Sequence, residues 1–250
     1  MDTLWYVIFA LLFAGYFALE GFTIGVGILL RLRPHAARDL QVAAIAPFVL
    51  AGEVWLVALA GLLFGVFPLL EGDLLSGMYP LVVALLLAWI LRDAALWFRR
   101  RGDGPRWRPA WDVVLSAASL ALAIVWGMVL VAIMRGFPGG FDPLGVAAGV
   151  GVALAYAFHG WTFATWRLAG HPAVDGASRR GRAVWLSALV AAAPALLTLA
   201  VVTPSLLDHM APSATLNVIG FMVLPLTPVM IGAQVWVWRT FSRGPLPSFF

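Results

Sequence analysis

Seven apolar blocks, each roughly the 20 residues that a membrane-crossing helix needs, alternate along the chain with short polar gaps. They run from about Leu4 to Leu30, Val42 to Phe67, Met78 to Phe98, Trp111 to Met134, Leu144 to Trp166, Ala183 to Val202 and Thr215 to Trp238. No stretch alternates apolar and polar residues as a half-buried strand does. The gaps are too short to fold independently. The pattern predicts an all-α integral membrane protein of about seven spans, a single domain over residues 1–250, with the first four spans forming a helix bundle. Prolines between Pro204 and Pro212 make the division between spans 6 and 7 the weakest boundary, a place for a broken or re-entrant element.

Composition agrees. Of the 250 residues, 62% are hydrophobic and only 11% charged, and the mean hydropathy is +0.95. A soluble domain has no way to cover that much apolar surface with polar side chains. There is no cysteine, so disulfides and thiolate metal sites are excluded. The first block lacks a basic leader and a small-residue cleavage site and reads as a retained span.

The net charge of +4 describes topology and not nucleic-acid binding. All sixteen basic residues are arginines. Apart from Arg92, inside span 3, and Arg135, they fall in loops 1–2, 3–4 and 5–6 and in the tail. Asp2, Glu71, Asp73, Asp142 and Asp208 lie on the opposite side. This alternation places the N-terminus outside and the C-terminus in the cytoplasm. Tryptophans at span ends, among them Trp5, Trp97, Trp107, Trp111, Trp236 and Trp238, fit an interfacial belt.

Ionisable residues inside spans are costly and are functional candidates. Glu20 lies in the cytoplasmic third of span 1 and Glu53 near mid-depth of span 2. Arg92 and Asp93 lie toward the cytoplasmic end of span 3, and Asp112 opens span 4. Two expectations compete. In one, the five residues form a polar cluster in which Glu20 and Glu53 relay protons inward from the cytoplasm. In the other, the carboxylates pair with Arg92 or cap helix ends and fix the packing of the bundle. Asp112, next to Trp111 at a helix start, suits a cap on the helix dipole. Only one histidine, His159, lies in a span, where a hydrogen-bonded packing role is favoured over haem ligation. A bis-histidine haem or other metal in this chain is not expected. Gly21 with Gly25, Gly61 with Gly65, and Gly145 with Gly149 have the GxxxG spacing of close helix packing. There is no phosphate-binding loop or nucleophile motif, so no catalytic residue is expected in this chain alone.

The run Gly15-Tyr16-Phe17 with Leu19-Glu20-Gly21-Phe22-Thr23-Ile24-Gly25-Val26-Gly27 resembles the first helix of subunit II of the cytochrome bd quinol oxidases, GYxxLEGFDFGVG. Pro47 with Gly52-Glu53-Val54-Trp55-Leu56 resembles the family's P-x-W-D-G-N-E-V-W-L. Ile90-Leu91-Arg92 with Phe98-Arg99 resembles LILRGxxFxFR, and looser matches continue through Trp111-Asp112, His159-Gly160, the 179–183 run and Thr215-Leu216-Asn217 to Trp236. The family's first-helix Asp is Thr23 here, its second-helix Asp is Leu50, its Asn before the Glu is Gly52, and its span-3 Glu is Trp97.

The resemblance implies a haem-free subunit of a respiratory quinol:oxygen oxidoreductase in a bacterial or archaeal cytoplasmic membrane. It implies a homologous partner, subunit I, that carries haem b and haem d, with quinol, membrane lipid and small accessory subunits as further partners and no nucleic acid. This chain would stabilise the partner, offer surface for quinone and carry protons through Glu20 and Glu53. A small transporter coupled through the same two carboxylates and a purely structural scaffold subunit are the alternatives.

Overall fold

The apolar blocks fold as helices, and several helices extend past their blocks. A computed structural model describes residues 2–137, 141–171 and 181–243; Arg179 and Arg180, read above as part of a basic cytoplasmic loop, lie outside the described residues. The elements are α1 (Asp2–Leu29), a short 3₁₀ turn (Leu30–Leu32), α2 (His35–Val66), α3 (Pro68–Gly77), α4 (Tyr79–Phe98), α5 (Trp107–Met134), α6 (Pro143–Arg167), α7 (Gly181–Asp208), α8 (Ser213–Val223) and α9 (Thr227–Phe241). No strand occurs among the described residues. Among the described residues six helices are long and apolar enough to cross a membrane, and a seventh span is counted if α8 and α9, bent by 42°, are taken as one. The chain is an all-helical, multi-pass membrane protein.

Prolines explain most of the departures from the predicted boundaries. Pro68 starts α3 inside what the sequence suggests is the loop between spans 2 and 3, because a proline needs no hydrogen-bond acceptor in the first turn of a helix. Pro109 lets α5 begin at Trp107, one turn before the predicted Trp111, for the same reason. Pro204 sits inside α7, which continues to Asp208 instead of stopping at Val202. The break falls instead within span 7, at Leu224–Leu226 around Pro225. There Thr227 Oγ1 donates to the Val223 carbonyl, replacing part of the lost backbone bonding.

Helix α1 is the centre of the packing. It runs against α2, α5, α6 and α7, while α4 packs on α5. Of the first four spans, expected to form one bundle, α1 packs on α2 and α5 while α4 packs chiefly on α5, and α6 and α7 complete the shell around α1. Lipid provides no solvent-driven force to join helices, so small residues decide where backbones approach. A Cβ on Gly25 would overlap the Tyr156 carbonyl, and one on Gly160 would overlap the Gly25 backbone. Gly21 holds the Tyr156 ring and Gly149 meets the backbone of Ile124. The Gly61/Gly65 pair behaves differently. Gly65 faces the Ile219 side chain of α8, but Gly61 has open space around it and is not a packing residue. Trp5, expected in the interfacial belt, is fully buried because the α8 segment around Gly220 covers it.

Candidate functional site

Arg92 is the residue around which the membrane-embedded polar groups assemble. It lies on α4 with no solvent exposure, where a cation persists only if it is paired. Its Nη2 lies 2.6 Å from Glu20 Oε1 of α1 and donates to Thr23 Oγ1 at 2.7 Å. Its Nη1 lies 3.1 Å from Asp93 Oδ1 and 3.5 Å from Glu53 Oε1 of α2. Trp89, one turn earlier on α4, donates its indole N–H to Glu53 at 3.3 Å. The Glu53 and Asp93 carboxyl groups thus share the same guanidinium nitrogen of Arg92. One guanidinium thus gathers three carboxyl groups from three helices.

The site is graded in exposure. Glu20 and Arg92 are both 1% exposed at the side chain, Glu53 is 13% and Asp93 is 26%. Thr23 stands one turn from Glu20, and its hydroxyl lies 2.6 Å from Glu20 Oε1 while accepting from Arg92. Glu20 Oε2 is buried with no hydrogen-bond partner among the described residues. It projects at Gly52, where any Cβ would collide with it. Gly52 is thus the residue that makes room for the Glu20 carboxylate between α1 and α2.

Four of the five predicted site residues come together: Glu20, Glu53, Arg92 and Asp93. Asp112 does not join them, and it is not a cap. It lies inside α5, is buried, and bonds to a different arginine. Arg99 Nε and Nη2 both reach Asp112 Oδ1, at 3.1 and 2.8 Å, and Arg38 Nη1 lies 3.3 Å from Oδ2. Arg99 also holds Asp39 at 2.8 Å, which Arg108 contacts at 3.0 Å. Arg38 Nε donates at 3.1 Å to the Arg33 carbonyl beyond the end of α1. This second network ties the α1–α2 connection to the end of α4 and the start of α5. The sequence reading missed Arg38, Asp39 and Arg99, treating such arginines only as topology signals. The available clue is that Arg92 and Arg99 are seven residues apart, so both point from one face of α4.

The positions where this chain departs from the bd pattern divide in two. Thr23 is inside the cluster, as described. Leu50 and Trp97 are 57% and 43% exposed and point away from it. His159 is a packing residue: its Nε2 donates to the Ala18 carbonyl at 2.9 Å. A neutral ring then accepts at Nδ1, where Ser187 Oγ lies 2.8 Å away. Both ring nitrogens are therefore engaged within the protein. Among the described residues, no three His, Asp or Glu side chains are arranged to hold a metal ion.

Comparison with known proteins adds to this geometry. The family model for cytochrome bd terminal oxidase subunit II matches residues 1–207. Cytochrome bd ubiquinol oxidase subunit 2 of Bacillus subtilis is 35% identical over 184 residues, covering 68% of this chain and 54% of that protein. A probable cytochrome oxidase subunit 2 of Haemophilus influenzae is 31% identical over 143 residues, 56% of this chain and 38% of the relative. Cytochrome bd-I ubiquinol oxidase subunit 2 of Escherichia coli K12 is 28% identical over 141 residues, 56% of this chain and 37% of the relative. The aligned region therefore spans about half or less of each of these curated relatives.

Proposed function

The chain belongs to the cytochrome bd terminal oxidase subunit II family, and from that membership we propose that it is the haem-free second subunit of a bd-type quinol:oxygen oxidoreductase. Its partner would be a homologous subunit I holding haem b and haem d, and small accessory subunits would join the complex. Its place would be a prokaryotic cytoplasmic membrane, with the arginine-rich helix ends on the cytoplasmic side. Within the complex it would support subunit I and carry protons through the Glu20–Glu53–Asp93 cluster.

The observation supporting the proton role is the graded exposure of three carboxyl groups around one guanidinium. Fully ionised, the cluster would have a net charge of −2, three carboxylates against one guanidinium, so the guanidinium alone does not balance it. Glu53 and Asp93 form its accessible end and Glu20 its buried end. The close bonding of Glu20 to Arg92 favours a second reading, a scaffold in which the pair only fixes α1 against α4.

Two experiments separate these readings. Co-purification of the chain followed by a reduced-minus-oxidised spectrum is expected to show haem bands with a stoichiometric larger partner; a colourless chain without one rejects the oxidase assignment. Replacing Glu53→Gln in the intact complex is expected to slow proton uptake and oxygen consumption together. Unchanged rates for both would leave the scaffold.

A further inference from the structure

A second feature of the membrane half, separate from the carboxylate cluster, is a groove of about 670 Å³ between α1, α2, α7 and α9. Its floor is apolar and aromatic: Gly15 and Leu19 of α1, Trp55 of α2, and Trp185 and Trp238 above them. The Trp55 ring lies directly on Gly15, where no side chain intervenes. Its indole N–H is buried and has no acceptor among the described residues. Trp185, 69% exposed, stacks on Trp238 with ring centroids 6.3 Å apart and planes at 26°.

The upper end of the groove is cationic. Arg239 and Arg243 line it at the end of α9, next to Ser242. No ion pair to either arginine is present among the described residues. Helix α9 has no acidic residue, and the one acid of α7, Asp208, is at the far end of that helix. The acids of α1 and α2 nearest in depth, Glu20, Asp39 and Glu53, are occupied by Arg92, Arg99 and Arg108. Two guanidiniums without an ion pair among the described residues thus stand over an apolar trough, at the end of the bundle where most of the arginines lie.

We propose that this groove binds one anionic phospholipid, its acyl chains along Leu19, Trp55 and Trp238 and its phosphate on Arg239 and Arg243. Charge complementarity selects this occupant. A neutral quinol ring offers two guanidiniums only uncharged oxygen acceptors, whereas a phosphate accepts from both and balances their charge. Basic pockets between membrane helices, at the level of the headgroups, are suited to such lipids. The Trp185–Trp238 stack stands where amphipathic rings favour the headgroup boundary.

The test uses the full chain, purified in detergent and stripped of co-purified lipid. It is titrated with phosphatidylglycerol and with phosphatidylcholine of the same acyl length, and bound lipid is counted by native mass spectrometry. The expected result is one retained phosphatidylglycerol, preferred about 10-fold over phosphatidylcholine. The double variant Arg239→Gln/Arg243→Gln loses that preference with an unchanged melting temperature, and Arg239→Lys/Arg243→Lys keeps most of it. A control, Arg31→Gln/Arg33→Gln at the same end of the bundle, retains the preference. Equal retention of both lipids by the parent chain overturns the proposal. So does an equal loss in the control, which would show diffuse surface charge. Competition by inorganic phosphate at matched concentration would mark a free-anion site and overturn it as well.

Discussion

Arg92 of α4 and Glu20 of α1 meet at 2.6 Å with both side chains almost fully enclosed. This pair joins the first and third spans, which have little other direct contact. Removing one partner strands the other charge in a low-dielectric interior. Arg92→Leu is therefore expected to destabilise the chain by about 3–5 kcal/mol, read as a lowered melting temperature in detergent. Adding Glu20→Gln to Arg92→Leu should recover part of that loss. A double variant no more stable than Arg92→Leu would show that the two residues are not coupled.

Glycine substitutions should divide by position along the same kind of motif. Gly25 abuts the Tyr156 backbone, which has no flexible end to move aside. Gly25→Leu should cost at least about 1–3 kcal/mol and separate α1 from α6, measured by thermal unfolding and protease sensitivity. Gly61 faces open space, and Gly61→Ala should be neutral or stabilise by up to about 1 kcal/mol through helix propensity. Equal damage at the two sites would contradict this packing.

The Arg99–Asp112 contact predicts a mechanical link at the arginine-rich end. Arg99→Gln leaves Asp112 with only the longer contact to Arg38 and frees Asp39 from α4. Proteolysis of the segment between α4 and α5 should accelerate, and stability should fall by about 3–5 kcal/mol. Asp39→Asn, at a half-exposed position, should have a much smaller effect.

His159 offers a spectroscopic prediction. Its ring bonds to the Ala18 carbonyl and to Ser187, so His159→Phe loses two hydrogen bonds and leaves both partners buried. The cost should be about 1–3 kcal/mol in stability. In the intact complex the haem absorption per partner subunit should be unchanged. A lost or shifted haem band would make His159 a ligand after all.

Much of this protein was legible in its order of residues. Apolar length determined the spans, because a helix crossing lipid must satisfy its own backbone and cover it with apolar side chains. The motifs around Glu20 and Glu53 pointed to the family. The depth of Glu20, Glu53, Arg92, Asp93 and Asp112 suggested one polar cluster, since residues at one level in neighbouring helices can meet; the first four do meet and Asp112 does not. Depth along a helix is one-dimensional information, however, and which way a side chain faces is not fixed by it. Only the packing of α4 against α5 turned Arg99 and Asp112 toward each other and away from Arg92. Only the α8 segment around Gly220 covered Trp5, and only the tertiary fold showed Gly25 at a crossing and Gly61 in open space. Sequence set the lengths, depths and chemistry; rotation and neighbour choice came from the fold, because those depend on how several helices share the same volume.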